Sequence, residues 1–397
     1  MKTVQQFLEL ARTAVRTGFK NESILLVTGN ESADLDSFAS SLLFAYLTAS
    51  YPRPNWPTKA YSAIVPLVNI PHEEVSLRPE LHHLLDTLKI PTSHLICKDE
   101  FLEAAGDAIV DVSLLDHNNL LSELGELYGD NIVTILDHHE DENLHTEASP
   151  RIINMVGSCT TLVVEYFSDV FKLKDESDLQ PQSLIDLAKL ALAPILVDTA
   201  NLTSKDTPAD HEAVKMLITV LTAGAVSTQS SDDRQQQYYD ELITAKRSID
   251  DFSLRDILRK DYKEWQEDNG VRVGIASSVK SLAWTVTKFG ETDFKNGIND
   301  WAKERKLDAF AFMDSFTDAK GAYRRDLVVV SCTPKGDKPA RDFVTAATEE
   351  FKLIAFDSSD GVATSTDESA GFWCFKQLNL QASRKQVAPL IRRFMQA

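Results

Sequence analysis

The sequence predicts an α/β protein in two domains. Residues 1–226 would form a mainly parallel sheet flanked by helices, and residues 238–397 a smaller α/β domain. Three observations predict this. Short apolar runs of strand length alternate with longer runs of helix length through the first half of the chain. Parallel strands need a crossover, usually a helix, so this alternation points to a helix-covered parallel sheet. The chain has 397 residues, 43% of them hydrophobic, which divides more readily into two cores than one. Residues 227–237 (STQSSDDRQQQ) are polar throughout and read as a linker.

The opening MKTVQQFLELARTAVRTGF has the spacing of an amphipathic helix. NESILLVTGN (21–30) reads as a strand, SFASSLLFAYLTA (37–49) as a helix, AYSAIVPLV (60–68) as a strand and LRPELHHLLDTLKI (77–90) as a helix. AIVDVSLLDH (108–117) and NIVTILDHH (131–139) are strands that each run into Asp-His. CTTLVVEYFSDVF (159–171) and SLIDLAKLALAPILVD (183–198) are helical. Beyond the linker, helices are expected at 238–252, 294–306, 340–351 and 383–397, with strands at 271–279, 307–316 and 326–332. In open parallel sheets ligands bind beyond the carboxyl ends of the strands, which is where the Asp-rich segments fall.

Composition narrows the function. Net charge is −19, and all of it lies in residues 1–236, which carry 16 basic and 35 acidic residues; residues 237–397 carry 25 of each. A nucleic-acid binder normally shows a basic surplus, so no nucleic-acid partner is expected. An acidic lobe joined to a neutral one suits carboxylates that hold cations and a few cations that hold an anion, although solubility alone also explains acidity. No apolar run approaches the roughly 18 residues of a membrane helix, and the N-terminus lacks the apolar core of a secretory signal. A cytoplasmic protein with no membrane partner is expected. Cys97, Cys159, Cys332 and Cys374 are scattered, which argues against disulfides and cysteine–zinc sites. The Asn-x-Ser/Thr matches at Asn21, Asn30 and Asn201 then carry no glycosylation meaning.

Four segments carry candidate chemistry: Gly29-Asn30-Glu31-Ser32-Ala33-Asp34-Leu35-Asp36-Ser37, Leu115-Asp116-His117-Asn118-Asn119, Leu136-Asp137-His138-His139-Glu140 and Leu196-Val197-Asp198-Thr199. Each sets an Asp after an apolar run. Singly, each has a plain structural reading. Asp34 and Asp36 before a helix suit N-capping with help from Ser37, Asp137-His138-His139 suits a surface turn, and Asp198 suits a solvated acid at a helix end. Together, in order, in one domain, they point to a shared crevice. Carboxylate oxygens suit Mg2+ and Mn2+, and imidazole shifts preference toward transition metals. Two such ions about 3.5–4 Å apart clamp the attacking and leaving oxygens of a phosphoryl displacement.

These segments resemble the DHH superfamily, whose name motif is Asp137-His138-His139. The similarity is to the branch that pairs a DHH domain with a C-terminal DHHA2 domain: family II inorganic pyrophosphatases, prune-type proteins and fungal cytosolic exopolyphosphatases. The Gly29–Ser37 segment is most similar to the fungal exopolyphosphatase form. The resemblance implies two divalent ions, Mg2+ or Mn2+. Asp34 and Asp116 would hold one; Asp36, Asp116, His138 and Asp198 would hold the other, with Asp116 as bridge. Asn30 stands where the pyrophosphatases have His, and an amide oxygen is a weaker, harder ligand. Asp116 and His139 would be catalytic, His139 facing the phosphate and His117 lying nearby. Gly157-Ser158-Cys159-Thr160 matches the Gly-Ser segment of the superfamily, and capping is the favoured role there over anion binding.

In the second domain Ser383-Arg384-Lys385-Gln386 resembles the phosphate-gripping SRKQ motif, against the plain reading of a solvated helix start. Asp261-Tyr262-Lys263 resembles the position of a phosphate-binding lysine, with Lys260 a close competitor. Lys205 near Asp198 is exposed by default. Arg324, Arg325, Arg392 and Arg393 either extend a polyphosphate track or are solvated. The implied activity is that of an exopolyphosphatase, releasing orthophosphate from the end of inorganic polyphosphate at a site between the domains, with closure over the linker. The rival readings are an inorganic pyrophosphatase, a prune-like phosphodiesterase, a nuclease of the same superfamily and a scaffold without turnover.

Overall fold

The computed structural model describes residues 2–51, 59–173, 180–223, 230–356 and 366–396. The chain divides into two compact units, Met1–Lys246 and Arg247–Ala397.

In the first unit β1 (Ser23–Thr28), β2 (Ala63–Leu67), β3 (Ile109–Leu115), β4 (Ile132–Asp137) and β5 (Arg151–Ile153) form a wholly parallel sheet in the order β2-β1-β3-β4-β5. Both faces are buried, which is why the strands read as continuous apolar runs. Leu25 and Val27 of β1 pack with helices Leu35–Ser50, Cys159–Tyr166, Gln182–Asp198 and Pro208–Thr222; Ile24 and Leu26 pack on the other face with Ala11, Val15 and Phe101. Every side chain from Leu35 to Thr48 is buried, so that helix is enclosed on all sides rather than along one stripe.

The second unit holds β6 (Tyr262–Gln266), β7 (Arg272–Ser278), β8 (Ala309–Thr317), β9 (Tyr323–Ser331), β10 (Leu353–Ala355) and β11 (Phe372–Gln377), in the order β10-β11-β9-β8-β7-β6. Only β7 and β8 pair in parallel. One face packs on Phe343, Val387 and Ile391 of helices Pro334–Glu350 and Arg384–Met395; the other packs on Phe294, Ile298 and Trp301 of helix Glu291–Arg305.

The linker expected at 227–237 is corrected. Residues 227–229 lie outside the described residues, but Ser231–Lys246 is one helix that begins inside the polar stretch and belongs to the first unit. Its Asp232 and Asp233 favour the N-terminus of a helix and its Lys246 the C-terminus. With Leu242 as its one buried residue, it carries no apolar stripe to read. The unit boundary therefore falls after Lys246.

Candidate metal centre

The motif-bearing strand ends lie side by side because β1, β3 and β4 are neighbours in the sheet. After β1 the chain turns at Gly29, where a Cβ would stand 2.6 Å from the Cβ of Ser37. Asp34 then caps helix Leu35–Ser50, its Oδ1 accepting from the Ser37 amide at 3.0 Å. It is exposed and keeps Oδ2 toward Ser32 Oγ at 3.3 Å.

Asp36, 3% exposed, is gripped by another helix. Its Oδ1 accepts from Ser158 Oγ at 2.7 Å, Thr160 N at 3.0 Å and Thr160 Oγ1 at 2.7 Å, and its Oδ2 from Cys159 N at 2.6 Å. The segment Gly157–Thr160 does cap its helix, Ser158 Oγ accepting from Thr160 N. It also binds an anion, and that anion is Asp36 of the same chain. Gly157 permits the approach: a Cβ there would meet Thr199 Cγ2 at 2.4 Å. The loop is tied further by Gly157 N donating to buried Asp210 Oδ2 at 2.9 Å.

Asp116 follows β3 with φ +65°, a left-handed conformation that costs a non-glycine residue roughly 1–2 kcal/mol. Asp116 N donates to Leu136 O at 3.0 Å, which helps hold it there. Its Oδ2 accepts from Ser37 Oγ at 2.6 Å and Asn30 Nδ2 at 2.8 Å, while Oδ1 lies 3.1 Å from His138 Nε2. His138 Nδ1 donates to Val156 O at 3.0 Å, which leaves Nε2 facing the carboxylates, an orientation that suits a metal-binding imidazole. The same Nε2 lies 3.8 Å from Asp36 Oδ2. Ligand atoms of Asp116, His138 and His139 all fall within 4.8 Å of one another.

His139 is half-exposed. Its Nδ1 and backbone N donate to Asp137 Oδ1 at 2.8 Å and 3.1 Å, and Asp137 Oδ2 accepts from Asn118 Nδ2 at 2.5 Å. Fully buried Asp137 therefore orients His139. His117 turns inward: Nδ1 donates to Leu115 O at 2.9 Å, and Nε2 is enclosed without a hydrogen-bond partner among the described residues. Asn30, expected as a ligand, lies beside Asp116. Its Oδ1 accepts from Ser32 N at 2.9 Å and Ser32 Oγ at 2.5 Å, so Ser32 captures the oxygen in a local turn and the amide nitrogen is presented to Asp116.

The electrostatics suit a cation. Burial first, and then the charge of Asp36, pushes the Asp116 carboxyl well above the usual range. Asp198, ending helix Gln182–Asp198, is pushed up by burial and then by Asp36 and Asp34. For His138 burial opposes the charge, but the bond to Asp116 and the charge of Asp36 outweigh it and lift its pKa to about 10. The carboxylates of Asp34, Asp36, Asp116 and Asp198 thus act on one another, with His138 beside Asp36 and Asp116, and a divalent ion would relieve the repulsion.

Lys263, Ser383, Arg384 and Lys385 belong to the second unit. Ser383 caps helix Arg384–Met395 in a box with Gln386. Arg384 Nη1 bonds Asp261 Oδ1 at 2.7 Å and Asp261 O at 3.2 Å. Asp261 directly precedes β6, which carries Lys263, so Arg384 is tied to the start of that strand. Of the candidate track residues, Arg324 pairs with Asp318, Arg392 with Glu267, and Arg325 bonds Leu380 O. The sequence placed Asn118 and Thr160 inside motif segments without showing which acids they hold, and Asp210 went unread although the Thr207-x-x-Asp210 capping box signals it.

Residues 24–195 match the model of the DHH family, N-terminal domain, and residues 240–394 match that of the DHHA2 domain. The chain is 32% identical to the "Putative exopolyphosphatase" of Schizosaccharomyces pombe, covering 97% of this chain and 96% of that one. It is 24% identical to human "Exopolyphosphatase PRUNE1" over 99% of this chain and 80% of that one. It is also 26% identical to the manganese-dependent inorganic pyrophosphatase of Methanocaldococcus jannaschii, over 68% of this chain and 78% of that one. The fold and these matches define a hydrolase of the phosphoesterase kind. The chain belongs to the DHH family, in the group that joins a DHH domain to DHHA2.

Proposed function

We propose that this protein is an exopolyphosphatase that uses two divalent ions, Mg2+ or Mn2+, to hydrolyse the terminal phosphoanhydride of inorganic polyphosphate. The observation that carries the chemistry is the convergence of Asp36, Asp116 and His138 beyond the ends of a parallel sheet, Asp116 facing both Asn30 and His138 with different oxygens. The substrate reading is supported by similarity, over 97% and 99% of this chain, to two relatives named exopolyphosphatases.

In this reading Asp34, Asp36, Asp116, His138 and Asp198 hold the ions, which when bound polarise phosphate oxygens and ready a water for attack. Asn30 and Ser37 fix the outer oxygen of Asp116, so that the carboxylate keeps one orientation. His139, held through Nδ1 by Asp137, faces the phosphate and stabilises charge there. Arg384 offers its planar fork, and Lys385 and Lys263 point charges, to phosphates of the chain.

The test is phosphate release from long-chain polyphosphate, tripolyphosphate, pyrophosphate and a cyclic nucleotide, with Mg2+, Mn2+ or EDTA, for wild type and Asp116→Asn. Metal-dependent release from polyphosphate, absent in the variant, is expected. Preference for pyrophosphate or the cyclic nucleotide would overturn the substrate, and no turnover on any of them would favour a scaffold.

A further inference from the structure

The chain just after Asp198 is unusual. Ala200, Asn201 and Leu202 follow one another with φ of +48°, +58° and +61°, a run that L-residues other than glycine rarely adopt. A helix end of this kind usually calls on glycine, and this one has none. Three sets of bonds hold it. Asn201 N donates to Leu196 O at 2.8 Å, folding the turn back on the helix. Thr199 Oγ1 donates to Ile195 O at 2.6 Å and accepts from Leu202 N at 3.0 Å. The third is tertiary: Asn201 Nδ2 donates to Gln236 Oε1 at 2.7 Å, and Gln235 Nε2 donates to Asn201 Oδ1 at 2.8 Å. Both atoms of one amide are thus clasped by two consecutive glutamines of helix Ser231–Lys246, which is itself tied to helix Gln182–Asp198 through Tyr238 Oη and Lys189 O at 3.1 Å. Asp198 needs such support, because it ends a helix, where the dipole disfavours a carboxylate, and it faces the charges of Asp36 and Asp34.

We propose that Asn201, Gln235 and Gln236 are positioning residues: their amide clasp holds the left-handed turn that fixes Asp198 as a metal ligand. The proposal rests on the metal-centre reading above. It gives a role to the glutamines of a segment whose sequence looks like a bare linker. Partners that orient a ligand in this way typically raise metal affinity by about 10- to 100-fold.

The experiment is equilibrium Mn2+ titration of metal-stripped full-length protein, read by electron paramagnetic resonance. The samples are wild type, Asn201→Ala, Gln235→Ala/Gln236→Ala, the triple variant and Asp198→Asn. We expect each clasp variant to weaken one class of Mn2+ site by about tenfold. The triple variant should lose no more than the stronger single effect, because the clasp acts as one unit, and Asp198→Asn should lose that site altogether. Thermal unfolding of the stripped proteins serves as the folding control, and the exposed Gln236→Ala alone covers the case in which Asn201→Ala does not fold. Wild-type affinity in folded clasp variants, with Asp198→Asn defective, would overturn the clasp and leave the metal centre standing. No Mn2+ binding by wild type would remove both.

Discussion

His138 and Asp116 face each other across the ends of β3 and β4, Nε2 to Oδ1 at 3.1 Å, while the second nitrogen of His138 is committed to Val156 O. The protein's own contacts thereby aim the imidazole. Its replacement by Gln keeps a polar group of similar reach but removes the oriented nitrogen. We expect His138→Gln to lower Mn2+ affinity by at least about 100-fold, since loss of a ligand should exceed loss of a supporting partner. The measurement is the rise in unfolding temperature on adding Mn2+. Ligand at 100 times its Kd stabilises by about 2.7 kcal/mol, so wild type should shift by several degrees and the variant far less. Equal shifts would remove His138 from the ligand set.

The grip of Thr160 on Asp36 supports a second prediction. Thr160→Val keeps the shape and the backbone donor but deletes the hydroxyl that bonds Asp36 Oδ1 at 2.7 Å. A buried carboxylate that loses one of four donors should cost about 1–3 kcal/mol. It should also loosen Asp36 enough to weaken metal binding by about tenfold. Chemical denaturation and Mn2+ titration measure the two effects separately. Loss of stability with unchanged metal affinity would make the helix N-terminus a purely structural support.

Much of this centre is legible because apolar runs that end in Asp-His leave the acid at a strand end, and parallel neighbours bring those ends together. The Gly157–Thr160 segment is legible as a cap, but its anion is not, because Asp36 stands over a hundred residues away in sequence. The orientation of the Asn30 amide is not legible, because it is set by Ser32, a turn contact that residue identity does not fix. Strand β6, Tyr262–Gln266, is polar and half-exposed, and β5 has three residues, so neither shows alternation long enough to read. Helix Ser231–Lys246 buries only Leu242, and its polar start looks like a linker for that reason.

Arg384 gives the third prediction. Its guanidinium pairs with Asp261 at partly exposed positions, with side chains 22% and 45% accessible, where such a pair contributes about 0–1 kcal/mol to stability. Its removal should therefore leave the fold intact. Arg384→Ala should raise KM for polyphosphate by about tenfold or more, the scale of one charge-assisted hydrogen bond, while kcat changes less. Arg384→Lys should recover only part of this, because a point charge does not reproduce the fork. Initial rates over a range of tripolyphosphate concentrations provide the check. A fall in kcat at constant KM would place Arg384 in the transition state rather than in chain binding.

Asp314 and Asp326 are register partners on β8 and β9, 1% and 4% exposed. Asp326 Oδ2 accepts from Leu282 N at 3.1 Å, but neither oxygen of Asp314 has a hydrogen-bond partner among the described residues. Burial first, and then the charge of Asp326, pushes the Asp314 carboxyl well above the ordinary 3.8. The folded protein therefore keeps a proton that the unfolded chain releases near pH 3.8. The stability linked to this group is complete below that pH and drains as pH rises through the folded value, at up to about 1.4 kcal/mol per pH unit. Asp314→Asn has nearly the same shape and cannot ionise. Its stability should fall less steeply with pH, so that the difference from wild type moves in its favour from pH 5 to 9. Urea unfolding followed by tryptophan fluorescence suits the measurement, because Trp265, Trp284, Trp301 and Trp373 all lie in the second unit. Parallel pH profiles for the two proteins would mean that Asp314 ionises in the fold at no cost, and the buried-acid account would fail.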